Sequence, residues 1–155
     1  MSDKFTLVTE EFWVAPQLSE DDIREAATEG FRLIINNRPD GEMLGQPTGK
    51  ELEATAKEVG LAYAHIPVSG AGITPDHIRA HREARSLNPG KALAFCRSGT
   101  RSIFLGAYAA ACAGAPVEEI IEKAAAAGYD VLAHRPALEA LAKQNMSDKQ
   151  AEPSS

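Results

Sequence analysis

Seven consecutive residues, Cys96-Arg97-Ser98-Gly99-Thr100-Arg101-Ser102, hold a thiol, two guanidiniums, three hydroxyls and a glycine. The apolar run Lys91 to Phe95 ahead of them reads as a buried strand, and the apolar stretch from Arg101 or Ser102 to Gly114 reads as a helix. A strand that stops at a glycine-containing loop and restarts as a helix can turn several backbone N–H groups toward one point, where the helix N-terminus adds positive potential. Such a point binds anions. Cys96 stands at its lip, so the amides, the helix and the guanidinium of Arg97 or Arg101 favour thiolate over thiol and make the sulfur a nucleophile. The planar fork of Arg101 suits a tetrahedral oxyanion in two places, as a lysine would not. Arg97, Ser98, Gly99 and Thr100 line the substrate, and the Ser102 hydroxyl is expected to donate to the sulfur. Free cysteines are commonly inert packing. Here strand, glycine loop, two arginines and helix coincide, which favours chemistry.

Arg38-Pro39-Asp40-Gly41-Glu42 leaves another apolar run at the same sheet edge. Arg38 or Asp40 would position substrate or close the pocket; the competing reading is a turn in which Pro39 fixes φ and Asp40-Gly41 reverses the chain. His77 and His81 are spaced to share a helical face but lack a third strong ligand, so a solvated face is preferred over a metal site. No metal or cofactor is expected. His65 reads as structural. Cys112 lies eleven residues past Arg101, about 16 Å along a helix, and reads as packing rather than a resolving thiol.

The elements that must hold these residues alternate. One or two short strands are expected in the first 17 residues, from Phe5 to Val14, covering one edge of a core; Ser19 caps a helix that ends at Gly30, and Phe31 to Asn36 is a buried strand. A helix from Lys50 to Val59, a strand from Ala62 to Val68 and a helix capped by Thr74-Pro75-Asp76 and ending at Leu87 lead to Lys91. Further helices fall at about 116–127 and 135–144. The fold class is α/β: residues 1–146 form one domain with a central, mostly parallel sheet flanked by helices, and 147–155 a disordered polar tail. Ligands gather at strand carboxyl ends in such sheets, where Cys96 falls.

Whole-chain properties narrow the partners. A net charge of -6 and scattered basic residues exclude a nucleic-acid surface. No apolar run is long enough to span a membrane and the first residues do not resemble a signal peptide, so a cytoplasmic location is expected. Two cysteines without a C-x-x-C pair give no disulfide framework and no zinc site.

The segment Phe95 to Ser102 resembles the active loops of single-domain rhodaneses and of protein tyrosine and dual-specificity phosphatases. From about Phe5 to Leu132 the chain resembles the bacterial beta-lactamase hydrolase-like, phosphatase-like family, domain of unknown function 442. The blocks that carry it are Ala15-Pro16-Gln17-Leu18, Ile34 to Glu42, His65-Ile66-Pro67-Val68, the cysteine loop and Ala124 to Tyr129. The resemblance implies a cysteine-phosphatase-like fold and, because some relatives are fused to persulfide dioxygenases, a link to sulfide metabolism and a sulfur-oxidising partner enzyme.

Two features of the resemblance bear on chemistry. Phosphatases of this kind place five residues between cysteine and arginine, whereas Cys96 and Arg101 enclose four, the rhodanese spacing. The general-acid Asp that dual-specificity phosphatases carry after the corresponding strand is replaced by Ser69-Gly70; lack of an acid costs about 10²–10⁴-fold in rate with alkoxide leaving groups. Asp40 or Asp76 remains a candidate acid. The expectation is therefore a sulfurtransferase that forms a persulfide on Cys96 from thiosulfate or a small persulfide, with a phosphatase that forms a phosphocysteine as the alternative. A binding module that senses anions or oxidants through Cys96 is a third reading.

Overall fold

The computed structural model describes residues 3–151. Strands β1 (Thr6–Thr9), β2 (Phe12–Ala15), β3 (Leu33–Asn36), β4 (Ala62–His65) and β5 (Ala92–Phe95) form one sheet in the order β1-β2-β5-β3-β4, with β1 antiparallel to β2 and every other pair parallel. Ala15, Phe95, Asn36 and His65 stand in one row across the four parallel strands. The residues that follow, among them Cys96 and Asn37, leave the sheet along a common edge.

Side-chain alternation builds a core on each face. Trp13, Ala15, Ile34, Leu93 and Phe95 point to one side, against Ile23 and Ala26 of α1 (Glu20–Thr28) and Leu52 and Ala56 of α2 (Gly49–Glu58). Their neighbours Phe12, Val14, Leu33, Ile35, Ala92 and Ala94 point to the other. That side is covered by α3 (Pro75–Leu87), α4 (Thr100–Cys112), α5 (Val117–Ala126) and α6 (Arg135–Ala151). Ser19, Thr48 and Thr74 each close a capping box at the start of α1, α2 and α3.

The architecture is the expected single α/β arrangement, with local differences. β2 lies inside the sheet; only β1 covers the edge. β4 ends at His65 rather than Val68 because Pro67 brings no N–H to the ladder, although Ile66 and Val68 still donate to the Asn36 and Asn37 carbonyls. Helix α6 runs on to Ala151, through the first part of the expected disordered tail, where Lys149, Gln150 and Ala151 are good helix formers; residues 152–155 lie outside the described residues. His81 is 1% exposed, so the solvated face expected for His77 and His81 is wrong for His81. The cause is the helix period: Ile78 and His81, three apart, face the core together. Among the described residues no helix is long and apolar enough to cross a membrane.

Candidate active site

Phe95 ends β5 fully buried, and the chain then closes a short loop around Cys96, which is also buried. Gly99 N–H donates to Cys96 Sγ over 3.1 Å. The N-cap of α4 is Gly99 itself, at φ +90°, with no side chain bonded to the first turn. Two neighbours hold this loop from outside: Gln17 N–H donates to the Arg97 carbonyl at 3.3 Å, and the Tyr129 hydroxyl to the Ser98 carbonyl at 3.0 Å. A Cβ on residue 99 would stand 2.2 Å from the Tyr129 hydroxyl, so glycine is required both by that contact and by its positive φ. Arg97, Ser98 and Thr100 are exposed, and the hydroxyls of Ser98 and Thr100 bond each other at 3.0 Å.

Arg101 is fixed by Glu42. Nη1 donates to Glu42 Oε2 at 2.8 Å and to the Val68 carbonyl at 2.8 Å, and Nη2 donates to Glu42 Oε1 at 2.9 Å. Both Nη1 protons are thereby used, and the edge formed by Nε and the second Nη2 proton bonds no oxygen among the described residues. Hydrogen bonding to Glu42 raises the pKa of Arg101, and the charge of the Cys96 sulfur, together with a hydrogen bond to it, adds to the rise.

Glu42 also accepts from Arg38 Nε at 2.9 Å, so one carboxylate bridges two guanidiniums. The hydrogen bond from Arg101 and that from Arg38 pull its pKa down to about 2 against the opposing effect of burial. Arg38 is 4% exposed; its Nη1 donates to Gln17 Oε1 at 2.9 Å, and its Nη2 has no partner.

Some expected roles change. The Ser102 hydroxyl donates to Asn37 Oδ1 at 2.8 Å rather than to the sulfur, because Asn37 leaves β3 beside the first turn of α4. Asp40, a candidate acid from sequence, accepts from Gly49 N–H at 2.8 Å and so stabilises the start of α2. Asp76 pairs with Arg79 at 2.6 Å on the first turns of α3. His65 Nε2 donates to the Arg38 carbonyl at 3.0 Å, the structural use expected of it. His77 Nδ1 accepts from Thr74 N–H in the α3 cap, at 3.0 Å.

The structure therefore gathers Cys96, Gly99 and Arg101 with Arg38, and brings in Glu42, Gln17, Asn37 and Tyr129, to which sequence assigned no separate role. Their only sequence signals were the four-residue spacing of Arg38 and Glu42 and membership of the blocks quoted above.

A thiol on a tight loop at a strand end, under a helix N-terminus and beside a clamped arginine, within this sheet order, defines a cysteine-phosphatase-like α/β fold. The chain belongs to the family described as beta-lactamase hydrolase-like protein, phosphatase-like domain, whose model matches residues 4–115. It is 35% identical over 129 residues to a beta-lactamase hydrolase-like protein of Xylella fastidiosa strain Temecula1, covering 83% of this chain and 30% of that protein. This chain thus spans about three-tenths of that relative's length. Among solved structures, a candidate phosphatase from Neisseria meningitidis Z2491 superposes with a TM-score of 0.78 at 30% identity, over 90% of this chain and 99% of that one. PTPMT1, solved in complex with PI(5)P, shares the fold alone, with a TM-score of 0.70 at 16% identity over 95% of this chain and 99% of that one. The family model and the Neisseria structure are both described as phosphatase-like, and neither supports the sulfurtransferase expected from loop spacing or a sulfur-oxidising partner.

Proposed function

We propose that this chain is a cysteine-dependent phosphomonoesterase. Cys96 thiolate attacks phosphorus, the P–S bond forms as the P–O ester bond breaks, and the alcohol or phenol oxygen leaves with the bonding pair. Water then attacks the phosphocysteine, returning the thiolate and releasing phosphate. The Gly99 N–H supports the sulfur's negative charge, and the free Nε–Nη2 edge of Arg101 takes two phosphoryl oxygens. The observation that carries this reading is that edge, which bonds no carboxylate or carbonyl beside the Cys96 sulfur while Glu42 fixes the opposite end.

Leaving-group protonation is the weak step. Glu42 stays ionised down to about pH 2 and so is no ready proton donor, while Asp40 accepts from Gly49 N–H and Asp76 pairs with Arg79. Aryl esters, whose phenolate leaves without help, should turn over faster than alkyl esters.

One observation favours a second reading: four residues separate Cys96 from Arg101, a spacing that suits a single transferable sulfur. Both readings are tested by incubating wild type and Cys96→Ser with an aryl phosphate and, in parallel, with thiosulfate plus cyanide, followed by intact-mass analysis. Phosphatase chemistry requires Cys96-dependent release of the phenol and a phosphoryl adduct on that residue. Turnover of thiosulfate alone, with a one-sulfur adduct, would replace it with the second reading.

A further inference from the structure

We infer that Met43 and Leu44 form an apolar contact for the organic group of the substrate, so that the site selects phosphate esters with an aromatic or aliphatic body over polyol phosphates. The inference rests on the phosphatase reading of the same site and adds the substrate class.

Leu44 is 105% exposed and Met43 49%. Exposed apolar residues standing singly, as Leu7, Leu87 and Leu132 do, need no explanation. Met43 and Leu44 differ in three ways. Among the described residues they are the one consecutive pair of exposed large apolar side chains. They sit on a built turn: Gln46 N–H donates to the Met43 carbonyl at 3.2 Å, Met43 N–H to Gln46 Oε1 at 3.3 Å, and Gln46 Nε2 to the Pro39 carbonyl at 2.9 Å. Gly45, at φ +84°, supplies the left-handed position of that turn, leaving Leu44 at its tip.

The turn is also anchored to the reaction centre. Glu42, immediately before Met43, is the residue that clamps Arg101. Two Cα steps of about 3.8 Å keep the Leu44 backbone within about 8 Å of that of Glu42. The turn thus starts at the end of the guanidinium that Glu42 holds, and on this inference the ester substituent of a phosphoryl group on the adjoining Nε–Nη2 edge extends toward it. A loop that is fixed by a scaffold and presents apolar side chains beside bound substrate is a usual place for specificity. An anionic membrane surface is the poorer occupant, because the chain carries a net charge of -6.

The test uses binding, so that it does not depend on turnover. Titrate naphthyl phosphate and glycerol phosphate into Cys96→Ser by calorimetry, then repeat with Leu44→Ser, Met43→Ser and Leu44→Met added. Wild-type loops should prefer naphthyl phosphate, and loss of the Leu44 contact should lower the naphthyl-to-glycerol affinity ratio by about tenfold, with Leu44→Met retaining it. An unchanged ratio in both serine variants overturns the inference while leaving the phosphatase reading intact. Preference for naphthyl phosphate without its hydrolysis by the unmodified protein overturns the phosphatase reading and keeps the contact; failure of both esters to bind overturns both.

Discussion

Glu42 holds Arg101 by the end of its guanidinium, with paired contacts of 2.8 and 2.9 Å across 59 residues of sequence, and leaves the Nε–Nη2 edge clear. Glu42→Gln keeps one acceptor but removes the charge, places an amide N–H₂ against the fork and weakens the bridge to buried Arg38. With charge-assisted hydrogen bonds contributing about 1.5–3 kcal/mol each, kcat/KM toward an aryl phosphate should fall by roughly 10- to 100-fold. Wild-type activity in Glu42→Gln would remove the clamp from the mechanism. Because the carboxyl is held down at about 2 rather than 4.5, the stability it contributes is fully present above about pH 4.5 and is lost as pH falls toward 2. A carboxyl NMR titration should find its midpoint well below that of an ordinary glutamate.

Gly99 meets Tyr129 with no room for a methyl group. Gly99→Ala adds left-handed strain of roughly 1–2 kcal/mol to a collision with the tyrosine hydroxyl, so denaturant unfolding should show a larger loss than strain alone. In a Tyr129→Ala background the added cost of Gly99→Ala should shrink toward the strain component. An equal cost in both backgrounds would mean that the tyrosine does not constrain the loop.

What could be read along the chain, and what could not, divides by contact distance. Lys91 to Phe95 followed by Cys-Arg-Ser-Gly marks a strand, a turn and a helix start locally, and the alternating faces of Leu33, Ile34 and Ile35 mark a strand covered on both sides. The bonds that finish the site join Glu42 to Arg101 and Asn37 to Ser102, pairs that meet once β3 and β5 lie side by side, and Ser98 to Tyr129, which meet once α5 packs on α4. Asp40 illustrates the same limit: an acid that follows β3 at the sheet edge of the cysteine loop accepts from the Gly49 N–H that opens α2.

Ser102 and Asn37 make a buried bond between the first turn of α4 and the end of β3. Ser102→Ala leaves Asn37 Oδ1 without that partner and should lower unfolding stability by about 1–3 kcal/mol. Since the hydroxyl does not donate to the sulfur, thiol reactivity toward iodoacetamide as a function of pH should keep its midpoint. A midpoint raised in Ser102→Ala would instead give this hydroxyl the sulfur-stabilising role expected from sequence.

His81 presents the opposite situation, a buried polar group with nothing to bond. Its ring lies edge-on to Phe12 with centroids 5.5 Å apart, and neither ring nitrogen has a partner. Burial, with the Arg85 charge adding to it, pushes its pKa down to about 3. In the unfolded chain it titrates near 6.5, so between those values the unfolded state binds more protons and stability rises with pH. The neutral ring's contribution is complete above about pH 6.5 and declines below it by up to about 1.4 kcal/mol per unit. His81→Phe keeps a flat ring without orphaned nitrogens and should gain about 1 kcal/mol at neutral pH. Its unfolding free energy should then fall less than that of wild type between about pH 7 and 5.5. His81→Leu serves as a second variant if the larger ring strains the core, and equal slopes for wild type and both variants would show that His81 titrates in the folded protein much as it does in the unfolded chain.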